Sequence, residues 1–187
     1  MKSSNFNIEE YINSLPDDIV EININNKGLT YIPDLFRFTN LKKLSCHYNQ
    51  LTSLPNLPSS LTRLDCSNNQ LTYLQELPNS LTSVSCSYNK LSNLPKLPNK
   101  LKYLYCYNNQ LTYLPNLPNS LKYLSCSTNQ LTYLPNLPNS LTFLCCVYNL
   151  LTYLPKLPNN LTNLSCSYNQ ITYLQKLPNS LIELNCG

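Results

Sequence analysis

Apolar residues return along this chain at a fixed phase of twenty residues. Counted from Leu41, the first and fourth positions of successive turns are Leu41 and Leu44, Leu61 and Leu64, Leu81 and Val84, Leu101 and Leu104, and so on to Leu181 and Leu184. The sixth position is cysteine in each of these turns, from Cys46 to Cys186, and the ninth is asparagine from Asn49 to Asn169. Apolar fourth and sixth positions alternate with polar third and fifth ones, which is the pattern of a short strand with one buried face. A chain of this period comes back beside itself, so the strands stack in parallel at about 4.8 Å. The pattern predicts strands near 22–24, 43–46, 63–66, 83–86, 103–106, 123–126, 143–146, 163–166 and 183–186. Each turn turns six apolar side chains inward, for example Leu61, Leu64, Cys66, Leu71, Leu74 and Leu77.

The asparagine sits where a strand ends and the backbone leaves the sheet, so its amide, both donor and acceptor, is expected to form an internal ladder between turns. The neighbouring Asn68 and Asn108 read as solvated loop residues. The return segment carries Leu-Pro-x-Leu-Pro in most turns, as in Leu54-Pro55-Asn56-Leu57-Pro58. Prolines three apart exclude a helix there and favour an extended or polyproline II path.

Before the repeats, Asn7-Ile8-Glu9-Glu10 has the acceptor and third-position glutamate of a capping box, followed by Ile8, Tyr11, Ile12 and Leu15 at helical spacing. A degenerate first turn then starts at Ile19, with Ile22, Ile24, Leu29 and Ile32 in register and Lys27 in place of the asparagine. The expected organisation is an N-terminal cap with a short helix over 1–18 and a solenoid over 19–187.

The form L-x-x-L-x-C-x-x-N-x-L-T-x-L-P-x-L-P over residues 15–187 resembles the leucine-rich repeat, with cysteine in place of the third leucine. It is similar to the short repeats of effector proteins from bacterial pathogens and to leucine-rich repeat proteins of giant amoebal viruses. The resemblance implies an α/β-type leucine-rich repeat solenoid, with a parallel β-sheet on the concave face, an extended convex side without helices and a short N-terminal capping helix. It also implies a non-catalytic protein-interaction scaffold without cofactor or metal. Some bacterial relatives add a C-terminal ubiquitin-ligase domain with a catalytic cysteine; a chain that ends at Gly187, inside a repeat, is expected to lack it.

Eight of nine cysteines occupy one inward column, and buried thiols fill such a column as small apolar residues. The sheet spacing lies within disulfide reach, but the parallel side-chain direction argues against bridges. No convergent tetrad or C-x-x-C pair suggests zinc. The ninth, Cys145, falls at the fifth position and reads as the one exposed thiol. The sole histidine, His47, lies five turns away, which excludes a Cys–His dyad in one molecule.

Alanine and tryptophan are absent and glycine occurs twice, the bias of an AT-rich genome. No apolar run approaches the ~18–20 residues of a membrane span, and Met1-Lys2-Ser3-Ser4-Asn5-Phe6-Asn7 lacks a signal-peptide core. A cytoplasmic location is expected, host cytoplasm if the chain is viral. Six of nine acidic residues precede residue 35, while from 35 onward eleven Lys and Arg face Asp65, Glu76 and Glu183. A basic face with aromatics is compatible with single-stranded nucleic acid, but only Lys42, Lys43, Arg63, Lys102 and Lys122 fall on the concave columns. A structural, particle-packing role is a further alternative.

Most concave positions are small or polar. The exception is a cluster in consecutive turns, Tyr103, Tyr105, Tyr107, Tyr123, Phe143 and Val147, flanked by Lys102 and Lys122, which reads as the partner-binding site. Tyr73, Tyr113, Tyr133, Tyr153 and Tyr173, at the thirteenth position, read as a structural column over the leucines beneath. The last strand, with Leu181, Leu184 and Cys186, is expected to fray or to pair with a second copy as a homodimer.

Overall fold

The computed structural model describes residues 6–187. One sheet of parallel strands runs through it in chain order: β1 (Glu21–Asn23), β2 (Lys43–Ser45), β3 (Arg63–Asp65), β4 (Ser83–Ser85), β5 (Tyr103–Tyr105), β6 (Tyr123–Ser125), β7 (Phe143–Cys145), β8 (Asn163–Ser165) and β9 (Glu183–Asn185). The register advances by one repeat at each step, Leu44 opposite Leu64 and Leu64 opposite Val84. Only the first step is longer: Ile22 pairs with Leu44. Between strands the return segments contain neither helix nor strand, as proline spacing requires. The strands stop one residue before each cysteine, and β1 begins one residue earlier than the pattern predicts. The ladder nevertheless continues, since Cys46 N–H donates to Asp65 O at 2.8 Å and Cys66 N–H to Ser85 O at 2.9 Å.

Leucines at the first, fourth and eleventh positions and cysteines at the sixth form one continuous buried core. The seventeenth position meets the expected six inward residues per turn at Leu77, Leu97 and Leu157, which are buried, but not in every turn. Leu57, Leu117 and Leu137 are only half-buried, while Pro58, Pro118 and Pro138 beside them are buried. A turn closes this segment, with Leu61 N–H donating to Pro58 O at 3.0 Å and the same bond between Leu121 and Pro118.

Three polar columns tie turn to turn. Asn69 shows the first: its Nδ2 donates to Cys46 O at 3.0 Å and Cys66 O at 3.1 Å, and its Oδ1 accepts from Leu51 N–H at 3.0 Å. The same set recurs at Asn89, Asn109, Asn129, Asn149 and Asn169. This is the expected ladder. The second column is serine at the twentieth position, Ser60, Ser80, Ser120, Ser140 and Ser180, whose hydroxyls donate to the first-position carbonyl of the preceding turn at 2.6–2.7 Å. The third is the thiol column. Cys46, Cys66, Cys86, Cys106 and Cys146 each point Sγ at a carbonyl of the next turn, 3.4–3.5 Å away, and all nine cysteines are free.

The eighth position is left-handed throughout. Asn26, Tyr48, Asn68, Tyr88, Asn108, Thr128, Tyr148 and Tyr168 have φ between 52° and 56°. Asn68 and Asn108 are therefore more than solvated loop residues, because asparagine is the non-glycine side chain best suited to this region.

At the N-terminus, α1 (Ile8–Ser14) buries Ile8 and Ile12, and Asn7 Oδ1 accepts from Glu9 and Glu10 N–H. Arg37, from the longer first turn, closes the other end: its guanidinium donates to Ile12 O at 2.6 Å and Leu15 O at 2.9 Å and pairs with Asp17.

Candidate functional site

The exposed face of the sheet carries the third, fifth and seventh positions, because strand side chains alternate and the fourth and sixth point into the core. In β5 to β7 these positions hold rings. Tyr105 leans across onto Tyr123, centroids 4.8 Å apart, and Tyr123 lies flat on Phe143 at 4.1 Å with the planes 5° apart. Beneath them Ser125 is buried although it belongs to the exposed face. Burial pushes the Tyr105 and Tyr123 hydroxyls above the ordinary phenol range, with neighbouring tyrosines adding to it.

Of the residues singled out by sequence, Tyr105, Tyr123 and Phe143 are thus brought into one stack. Tyr103 pairs with Tyr123 through the backbone, but its side chain stays exposed. Tyr107 turns away to meet Tyr88 edge-on at 5.2 Å, and Ser87 is fully buried with its hydroxyl unpartnered. Val147 is half-buried in the next column. Lys102 and Lys122 are exposed in consecutive turns, and neither joins an ion pair among the described residues. At the far end, Leu181 is half-buried, and Leu184 on β9 and Cys186 just after it are exposed.

Sequence reasoning missed a charged cluster along β1 to β3. Lys43 pairs with Glu21 at 3.1 Å. His47 Nδ1 lies 3.2 Å from Asp65 Oδ2 and 3.2 Å from Ser45 Oγ, and Asp65 Oδ1 accepts from the Ser67 hydroxyl at 2.6 Å. Serine, histidine and aspartate side by side suggest a hydrolytic relay. However, both contacts fall on the same nitrogen, whereas a relay needs carboxylate and nucleophile on opposite ones. The signal that could have revealed the cluster was positional: His47 and Asp65 are two positions apart in adjacent turns.

Cys145 is not the sole accessible thiol. It is half-buried, with Sγ 3.1 Å from Ser127 Oγ, and Cys186 is the exposed one. The thirteenth-position tyrosines stay 43–70% exposed, and no two of their rings are in contact among the described residues. No group of three His, Cys, Asp or Glu side chains able to hold a metal ion occurs among the described residues. Among the described residues no helix is long and apolar enough to cross a membrane.

The Leucine Rich Repeat family description matches residues 60–83. No curated protein matches the chain. Among solved structures, YopM, a leucine-rich effector protein from Yersinia pestis, superposes with a TM-score of 0.88 and 38% identity over 92% of this chain and 49% of that one. A Shigella effector leucine-rich repeat domain gives 0.76 and 31% identity over 88% of this chain and 74% of that one. The functional domain of InlJ from Listeria monocytogenes, which includes a cysteine ladder, gives 0.65 and 27% identity over 90% and 44%. The chain spans about half the length of the Yersinia protein. With a continuous register, a buried asparagine ladder and this identity across most of the Shigella domain, the chain belongs to the leucine-rich repeat proteins.

Proposed function

We propose that the protein is a non-catalytic scaffold that holds a protein partner on the concave face, with Tyr105, Tyr123 and Phe143 as the anchor. The observation that carries this reading is the ring stack itself. Elsewhere most positions of the face are small or polar, and here three rings form a continuous surface on short, rigidly bonded strands. Large, stiff aromatic side chains supply contact area at low entropic cost, which suits an interface centre. Nucleic acid is less well served, since stacking needs free ring faces and each of Tyr105, Tyr123 and Phe143 already packs against a neighbouring ring. The unbridged thiol column suits a reducing compartment such as the cytoplasm.

The test is parallel affinity capture with the wild-type protein and the Tyr105→Ala, Tyr123→Ala double variant, each matched for thermal midpoint. A partner retained by the first and lost by the second is the expected result. Partners captured equally by both would overturn the assignment.

A further inference from the structure

We infer that the segment held on this face is acidic, with a side-chain carboxylate three to four residues from an apolar or aromatic anchor. The inference rests on the protein-binding reading above and names the chemistry of the bound segment. Beside the ring stack a depression of about 470 Å3 opens on the sheet, lined by Arg63 and Lys43, by the carboxylates Glu21 and Asp65, and by Tyr105. The other charges there are engaged. Lys43 holds Glu21 at 3.1 Å, and Asp65 is turned to His47 and Ser67. Arg63 joins no ion pair among the described residues. A guanidinium presents a planar fork of donors that fits a carboxylate edge-on, and although Glu21 and Asp65 share the lining, neither is within ion-pair distance of Arg63. Lys102 and Lys122, unpaired beside the stack, favour the same sign.

Tyr105 belongs to both features: it borders the depression and packs on Tyr123. The two are thus neighbouring subsites of one surface. Arg63 lies on β3, Tyr105 on β5 and Tyr123 on β6. Two to three strand spacings therefore separate cation from rings, about 10–14 Å. An extended chain crossing the strands advances about 3.3 Å per residue, which gives the three- to four-residue separation.

The experiment is selection of a random peptide library of about twelve residues, displayed on phage, against the intact protein. Expected is enrichment of Asp or Glu three or four residues from Phe, Tyr, Trp, Leu or Pro. A synthetic copy of the enriched peptide should lose about tenfold in affinity on Arg63→Gln, with part restored by Arg63→Lys, as a fork-shaped contact requires. It should also weaken on Tyr105→Ala with Tyr123→Ala. Enriched peptides that are neutral or basic, or an acidic one indifferent to Arg63→Gln, would overturn the inference and leave the protein-binding face standing. Peptides indifferent to the tyrosine changes would overturn both. Absence of any enriched peptide, or tighter binding of oligo(dT) than of any selected peptide, would also overturn the inference.

Discussion

The side-chain amide of Asn89 reaches back to the carbonyl oxygen of Cys66 in the preceding turn at 3.0 Å, while also donating to Cys86 O at 3.1 Å in its own. Its Oδ1 accepts from Leu71 N–H at 2.9 Å, so one side chain satisfies backbone groups on two turns in a site nearly closed to water.

Asn89→Leu leaves Leu71 N–H without a partner, at a cost of about 1–3 kcal/mol, while Cys66 O and Cys86 O each keep one amide donor, from Asn69 and Asn109. A loss of about 2 kcal/mol is expected, read by urea unfolding. Asn89→Asp keeps the acceptor but sets a negative charge against carbonyls at the donor side, and should be at least as damaging. Gln70→Ala, on an exposed side chain, serves as the control and should change stability by less than about 0.5 kcal/mol. An Asn89→Leu protein as stable as the control would show that water replaces the amide.

The left-handed column offers a change in the opposite direction. Thr128 has φ 53°, where a β-branched side chain crowds its own backbone. Thr128→Asn should relieve this and raise stability by about 0.5–1 kcal/mol, with an unchanged urea slope. Asn68→Val, at φ 53°, should lower it by a similar amount. A null result at both would mean that the turn tolerates branching at no cost.

Arg37 is expected to govern the N-terminal helix alone. Its donors meet Ile12 O and Leu15 O at the end of α1, where no basic residue of the helix does so. Arg37→Ala should speed amide hydrogen exchange over Ile8–Leu15 while leaving the protection of β4 to β7 unchanged, since repeat turns contact only their neighbours. Uniform loss of protection along the sheet would instead make the helix integral to the whole solenoid.

How much of this was legible in the sequence depended on whether a feature kept one residue type at one phase. Leucine, cysteine and asparagine columns did, and they gave the sheet, the core and the ladder. The serine hydroxyl bonds follow the same logic at Ser60, Ser80, Ser120, Ser140 and Ser180, although Lys100 and Asn160 interrupt that column. The left-handed turn was hidden because tyrosine and threonine share its position with asparagine. In the site, phase alone placed the rings in neighbouring columns, but side-chain torsions decided contact. Tyr123 therefore meets Tyr105 diagonally, Tyr103 opposite it stays free, and Tyr107 leaves the cluster for Tyr88.

The thiol column should make the protein sensitive to alkali. Seven cysteines, Cys46, Cys66, Cys86, Cys106, Cys126, Cys146 and Cys166, are buried. Burial pushes Cys86 up to about 12 and Cys166 to about 11, and Cys66, Cys106, Cys126 and Cys146 well above the thiol range. In the unfolded chain these thiols ionise near 8.5. Because the folded values are raised, the unfolded state sheds protons first, so the contribution is whole below about pH 8.5 and is lost as pH rises from there toward the folded values. Each thiol removes about 1.4 kcal/mol per pH unit in that window. Urea midpoints should hold steady between pH 7 and 8 and fall steeply by pH 10. Cys106→Val, which keeps an apolar side chain in the column, should reduce the slope by one thiol's share. In the same native protein at pH 7.5, maleimide should label Cys186 readily and Cys145 more slowly, and the other seven only after denaturation. A midpoint flat from pH 8 to 10, or rapid native labelling of the buried seven, would show that the column opens to solvent.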